Sequence, residues 1–485
     1  MQLNDPGLFK TKCLIGGEWM EEAGGATITV YNPADNTVVG TVPMLGRKET
    51  AKAIEEAQKA WPAWKALTPL QRGTILRRWH ELILQNMDDL ARIMTTEQGK
   101  PLAEAKGEIM LGCSYIPWYA EEARRTYGEV IPSPWPGKQP MTMRQPIGVT
   151  AAITPWNFPM SMIARKAAPA LAAGCPMIVK PASATPYSAL AMAELAVRAG
   201  VPAGILSVVT GNSGEIGAEL CSSPVVRKLS FTGSTAVGKR LMADCAATVK
   251  KVSMELGGNA PMIVCADAQI DQAVAGAMGC KFRNAGQTCV CVNRFIVHES
   301  VCEEFTAKVV EKCKEIVVGN GILEGVTQGP MIDATAHAAM QTFVDDAVAK
   351  GAKVLFGGKP DPQGGLYYPP TVITGMTREM RVFKEEIFGP IVPIMTYKTE
   401  EEAIALANET EYGLASYVYT RDVGSFYRIA VGLDYGMVGV NDGALAGGEV
   451  PFGGVKESGQ GREGGRQGIE DYIETKYILL AGLLS

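Results

Sequence analysis

From Arg47 to about Thr126 apolar residues recur every three to four positions, through Ala51–Trp61, Gln71–Gln85 and Leu90–Glu97, which predicts a helical block. Short runs before it, Cys13-Leu-Ile and Ala26-Thr-Ile-Thr-Val-Tyr, read as strands set off by Asn-Pro and Ala-Asp-Asn turns. Residues 131–140 are rich in proline, so they predict an extended excursion, with Met141–Gln145 as an edge strand. From Gly148 the period alternates between two kinds. Strands are predicted at Val149–Ile153, Met177–Lys180, Ile205–Val209, Lys228–Phe231 and Lys251–Met254. Helices between them fall at Ser161–Ala173, Ala189–Arg198, Glu215–Cys221 and Ala236–Ala246. Single helices between strands imply parallel βαβ units, whose ligands lie at the carboxyl ends of the strands. That places Trp156-Asn157, Lys180–Ser183, Gly233-Ser234 and Glu255-Leu256 on one rim of one sheet. A second α/β series follows: Pro261–Val264, a helix around Ile270–Phe282, a loop to Cys289, Phe295–His298 and a helix from Val301. The alternating segment Tyr472–Leu480 suits a strand added to another sheet, such as a neighbouring subunit's.

Composition narrows the class. A chain of 485 residues is too long for one core, so two to four domains are expected. The net charge of −5 argues against a nucleic-acid partner, which calls for a basic face. Eleven cysteines, an odd number without a repeating frame, read as reduced thiols. With no secretory leader pattern and no apolar run near the ~20 residues that span a bilayer, the expected location is the cytoplasm, away from membranes. The three histidines, His80, His298 and His337, stand away from every glycine-rich loop, which argues against a histidine-activated nucleophile. No metal is expected, because no histidine cluster or second cysteine pair accompanies Cys289 and Cys291.

The candidate chemistry sits on two glycine-containing segments. Glu255-Leu-Gly-Gly-Asn-Ala-Pro offers a carboxylate, and Arg283-Asn-Ala-Gly-Gln-Thr-Cys289 offers a thiol. A thiol held near its thiolate form is a nucleophile, and a nearby carboxylate can activate the water that resolves a covalent intermediate.

Six segments carry a resemblance over essentially the whole chain. Thr154-Pro-Trp-Asn-Phe-Pro159, Lys180-Pro-Ala-Ser183, Phe231-Thr-Gly-Ser234, Glu255-Leu-Gly-Gly-Asn259, Gly286-Gln-Thr-Cys289 and Glu386-Ile-Phe-Gly-Pro390 resemble, in order, the motifs of the aldehyde dehydrogenase superfamily. Met162-Ile-Ala-Arg-Lys166, Lys281–Cys291 and Arg462-Glu-Gly-Gly465 are most similar to the succinate-semialdehyde dehydrogenase group. The resemblance implies an α/β aldehyde dehydrogenase fold. A Rossmann-like cofactor domain would span 1–126 and 148–257, and an α/β catalytic domain 258–445. A small β oligomerisation element with a C-terminal arm would span 127–147 and 446–485, making a homo-oligomer.

It also implies roles. Cys289 attacks the aldehyde, and Asn157 with the Cys289 backbone N–H steadies the oxyanion. Hydride passes to the nicotinamide, and Glu255 activates the water that hydrolyses the thioester. Lys180 and Glu386 hold the two riboses, Gly233 and Ser234 the pyrophosphate, and Trp156, Pro181, Ala182 and Leu256 complete the cofactor contacts. The Gly-x-Gly-x-x-Gly fingerprint is absent from the first strand–helix turn, and Gly211-Asn-Ser-Gly-Glu-Ile-Gly217 is only loosely similar to it. Ser183 stands where NAD-selective members often place glutamate, so NADP is the implied cofactor and NAD stays open as a second. Arg165 and Arg283 match the group's substrate-binding arginines and imply an anionic aldehyde, succinate semialdehyde first. Ala446-Gly447 occupy a place where relatives tend to carry a serine donor, which leaves glutarate semialdehyde, sulfolactaldehyde or a broader aldehyde range as alternatives. Cys291, two residues past the nucleophile, is a candidate redox switch through a strained, labile disulfide to Cys289. A CoA-acylating enzyme and a non-catalytic protein of the same fold are rivals; Glu255 speaks against the first, and Glu255 and Cys289 together against the second.

Overall fold

A computed structural model describes residues 1–21 and 25–482. Its larger sheet has eight strands in the order Gly459–Gln460, Lys251–Glu255, Val226–Thr232, Val149–Ile153, Met177–Lys180, Leu206–Val208, Cys13–Ile15, Glu18–Met20. The five central strands are parallel, and the outer pairings are antiparallel. Val149–Ile153, Met177–Lys180 and Leu206–Val208 are almost wholly buried on both faces, polar Thr150 and Ser207 included. The helix Ser161–Ala173 is buried along all of its length, which its run of alanines permits. The helical block resolves into Arg47–Ala66, Pro69–Gln85, Met87–Gln98 and Leu102–Glu122. The last of these packs directly on the Ser161 helix; a Cβ at Gly112 would lie 2.8 Å from Ser161 Cα, so only glycine permits the approach.

Strand order reverses at Val149–Ile153. From there the chain steps outward to Met177–Lys180 and Leu206–Val208, then returns to lay Val226–Thr232 on the other side. Such a switch point opens a crevice at the carboxyl ends of the strands, the expected seat of a ligand in a parallel sheet. The second sheet has seven strands, in the order Lys353–Phe356, Thr371–Thr374, Ile391–Tyr397, Val292–His298, Ala260–Val264, Ala415–Tyr419, Met437–Val440. All its pairings are parallel except that of the Lys353–Phe356 edge.

The C-terminal strand Ile473–Ala481 pairs antiparallel, in continuous register, with Lys138–Pro146 of its own chain. The proline-rich excursion and the C-terminal strand thus complete each other as a two-stranded ribbon, with Met143, Tyr477 and Leu479 exposed on it. Leu483 and Leu484 of the apolar tail lie outside the described residues. No described helix is long and apolar enough to cross a membrane.

Candidate active site

The Cys289 loop leaves the helix Ile270–Phe282 through a turn in which Asn284, Ala285 and Gly286 all take positive φ, at 53°, 55° and 76°. Two of the three are not glycine, so the surroundings must hold the turn in place. Asn284 N–H donates to Glu104 Oε2 at 2.7 Å, and its Oδ1 accepts from Gln98 Nε2 at 2.9 Å. Its amide nitrogen donates to the carbonyls of Asn157 at 3.1 Å and Gln287 at 3.3 Å. The loop then lies so close to the Glu255 segment that a Cβ at Gly258 would meet the Cys289 carbonyl at 2.4 Å. The two glycine-containing segments therefore interlock, which brings Cys289 and Glu255 to one centre.

Asn157 enters from the rim of the larger sheet. It is buried, and its Nδ2 donates to the Gln287 carbonyl at 3.0 Å, while its Oδ1 has no partner among the described residues. Its own carbonyl accepts from Lys100 Nζ at 2.7 Å. Lys100 in turn pairs with buried Glu108 at 2.5 Å. The other Glu108 oxygen accepts from the N–H groups of Met160 and Ser161, at 2.9 and 3.1 Å, and so satisfies free donors at the start of the Ser161 helix. One lysine–glutamate pair thereby fixes both Asn157 and the helix that carries Arg165.

Glu255 ends its strand in a buried position with both carboxylate oxygens unpartnered. Behind it, Glu463 accepts from Lys166 and from Ser230 Oγ, and lies 3.1 Å from the Arg165 guanidinium. The two carboxyls are driven apart. Burial, reinforced by the Glu463 charge, holds Glu255 well above the usual carboxylate range. Burial opposes ionisation of Glu463 as well, yet Lys166 and Arg165 keep it below that range. Unequal carboxyls in one cluster mark acid–base chemistry.

The Cys289 thiol is half-buried. Burial pushes it up to about 12, aided by Glu386 and Glu255 and opposed by Arg165 and Arg283. The expectation of a thiol held near its thiolate form is therefore not met in this conformation, because the desolvation penalty outweighs two arginines. Cys291 is buried, with its Sγ directed to the carbonyls of Lys281 and Val292, both at 3.6 Å. It makes no hydrogen bond to Cys289 among the described residues, so a bond between them requires Cys291 to leave both carbonyls.

Arg165 and Arg283 meet at one place. Both line the enclosure that holds Cys289, together with Ser161, Phe452 and Ala446. It continues outward into a cavity of about 290 Å³ bordered by Arg283, Phe158 and the Gly443–Ala446 loop. Arg165 is buried, with its guanidinium carbon 3.9 Å from the Phe452 ring centre. Arg283 is exposed, lies 5.1 Å from the Phe158 ring centre, and has no ion pair among the described residues.

The crevice at the switch point, about 660 Å³, is lined by Trp156, Lys180, Ala182, Ser183, Gly233 and Ser234 among others. Pro181, Leu256 and Glu386 do not border it. Leu256 packs instead on Gly238, where a Cβ would lie 2.4 Å from its Cδ2. Glu386 turns toward the Cys289 side, accepting from Gly258 N–H at 3.0 Å, and burial pushes it up to about 7 despite that bond. Ser234 precedes the helix Thr235–Ala246 without capping it by its side chain, so the first N–H groups stay free for an anion. Lys180 is buried beside Ser183, and among the described residues its ammonium donates only to the Pro181 carbonyl, at 3.0 Å. These features fit a dinucleotide.

The fold and this pairing of a thiol loop with a switch-point crevice define one class. The chain belongs to the aldehyde dehydrogenase family, whose profile matches residues 19–478, and it is an oxidoreductase of that family. It is 56% identical over 481 residues to the glutarate-semialdehyde dehydrogenase of Pseudomonas putida, covering 99% of this chain and 100% of the relative. It is 54% identical over 480 residues to the NADP(+) succinate-semialdehyde dehydrogenase of Escherichia coli, covering 99% and 100% respectively. The crystal structure of succinate-semialdehyde dehydrogenase from Burkholderia pseudomallei matches with a TM-score of 0.98 at 54% identity, over 99% of this chain and 100% of that one.

Sequence reasoning missed Lys100, Glu108, Asn284, Gln287 and the role of Glu463. Lys100 stands in the link before the helix Leu102–Glu122 and Glu108 within it, and nothing in a linear spacing says that they face inward. Glu463 stood in a quoted motif, but its counter-ions come from the Ser161 helix.

Proposed function

We propose that this protein oxidises an aldehyde carrying a distal acid group, using NADP. Succinate semialdehyde is the first candidate, and one observation carries the reading: two guanidinium groups line the enclosure that holds Cys289. Guanidinium donors form a planar fork that suits a carboxylate, and their charge rewards an anion in a confined site. The five-carbon glutarate semialdehyde is a second reading, favoured by the Gly443–Ala446 wall, which offers no side-chain donor and leaves room.

Cys289 Sγ, its proton released to water, attacks the aldehyde carbon. The alkoxide so formed is met by the amide N–H of Asn157 not used by Gln287, and by the Cys289 backbone N–H. A nicotinamide nucleotide, held by Lys180, Ser183, Gly233 and Ser234, supplies the hydride acceptor when bound. Glu255 takes a proton from the water that cleaves the thioester. The same reading divides the chain at 1–126 and 148–257, 258–445, and 127–147 with 446–485. The exposed ribbon supports assembly into a homo-oligomer, since an open strand edge invites pairing.

Initial NADPH formation from succinate semialdehyde, glutarate semialdehyde, sulfolactaldehyde and an uncharged aldehyde of similar length tests the substrate class. Wild type should favour an acid aldehyde in kcat/KM by roughly 100-fold, and Arg283→Ala should erase about 10- to 100-fold of that preference. Equal turnover of the uncharged aldehyde would make the arginines structural.

The cofactor reading has a pH signature. Burial lowers Lys180 to about 8, so the ammonium that a 2′-phosphate needs is complete below that pH and lost above it. KM for NADP should therefore climb about tenfold per pH unit beyond pH ~8, while KM for NAD, which lacks the phosphate, stays level. A flat NADP profile up to pH ~10 would remove Lys180 from phosphate recognition.

A further inference from the structure

The helix Leu102–Glu122 brings into the enclosure a polar atom that the described protein leaves unsatisfied. Tyr115 is fully buried, and its hydroxyl has no hydrogen-bond partner. The side chain lines the same space as Cys289, Arg165, Arg283, Ser161 and Ala446. Its ring centre lies 5.6 Å from the Arg165 guanidinium carbon. The Gly464 backbone packs against its ring: a Cβ there would stand 3.1 Å from Tyr115 Cε1. Arg165 is in a similar condition. Its Nε and one terminal nitrogen make no well-aligned hydrogen bond, although that nitrogen is 3.1 Å from Glu463 Oε2. The Tyr115 hydroxyl and the Arg165 Nε thus stand unused on side chains that line the space beside the nucleophile.

A buried hydroxyl without a partner is destabilising, and phenylalanine would fill the volume without that cost. The free hydroxyl is explained if a ligand completes it. Ala446 on the same lining, and Gly447 after it, have no side-chain donor. We propose that the Tyr115 hydroxyl donates a hydrogen bond to the distal acid group of the substrate, beside the Arg165 guanidinium. Tyr115 then sets the preference for an acid-bearing aldehyde in place of a donor from the 443–448 loop. This inference rests on the anionic-aldehyde reading above.

The experiment is steady-state kinetics of wild type and Tyr115→Phe at saturating NADP, with the best acid semialdehyde and with an uncharged aldehyde of equal length. The variant should raise KM for the acid aldehyde about 10-fold, as expected for losing a hydrogen bond to a charged group. Its kcat should stay within about twofold, because the hydroxyl binds substrate and transition state alike. KM for the uncharged aldehyde and for NADP should not move, and the thermal midpoint should be no lower. Unchanged KM for the acid aldehyde, or an equal rise for both aldehydes, overturns the proposal. So does a fall in kcat with a shifted pH profile, which would assign the hydroxyl to the Glu255–Glu463 cluster. The wild-type data alone test the underlying reading: a clear acid preference that survives in Tyr115→Phe rejects only the role of Tyr115, whereas no acid preference in wild type rejects both.

Discussion

Cys289→Ala is expected to abolish turnover, with kcat falling at least ~1,000-fold and no burst of NADPH, while NADP binding persists. Each half of that result has a structural reason. The backbone at residue 289 is wedged against Gly258, and alanine keeps that contact as well as the N–H that would face the oxyanion. The crevice for the nucleotide is walled by other segments, so it stays intact. Cys291 cannot stand in, since its thiol is buried and tied to the carbonyls of Lys281 and Val292. Stopped-flow absorbance together with calorimetric titration of NADP checks both halves. Residual activity above ~1% of wild type would mean that Cys289 is not the nucleophile.

Glu255→Gln should separate the two halves of the reaction. The first turnover should yield NADPH stoichiometric with active sites, and the steady rate should then fall ~100- to 10,000-fold as the thioester accumulates. Glutamine fits the same buried place, and neither Glu255 oxygen holds a partner that the fold depends on. In wild type the sign of the pH dependence follows from the raised carboxyl. The base form of Glu255 grows as pH rises through its elevated ionisation and is lost below it, so thioester hydrolysis should slow toward acid pH. Intact-mass analysis of the quenched variant should find the acyl group on Cys289. A variant that loses the burst along with the steady rate would place Glu255 before the hydride step instead.

The parallel sheet was legible because helix-period segments separate its strands, with signals such as Gly174 ending one helix and Asn212 starting another. The rim positions of Asn157, Lys180, Gly233 and Glu255 followed from that alternation alone. Distances across the chain were not legible. The helical period marks Leu102–Glu122, yet cannot say that Tyr115 faces the nucleophile or that Glu108 serves the start of another helix. The dinucleotide crevice also escapes a fingerprint search, because its anion site is a helix start after Phe231-Thr-Gly-Ser234 and not a glycine-rich first turn. Electrostatics were the least legible: Arg165 lies close enough to quiet the Cys289 thiol's protonation, yet burial prevails.

The strained turn at Asn284–Gly286 has a bearing on how the protein comes into being. Its bonds to Gln98 and Glu104 join residues 186 and 180 positions apart. Contacts of such span close late, after the intervening βαβ units have already taken shape. A chain still emerging from the ribosome, or one locally unravelled, therefore carries an ordinary cysteine at position 289. Its alignment with Asn157 and Glu255, rather than any gain in thiolate, arrives with the completed fold.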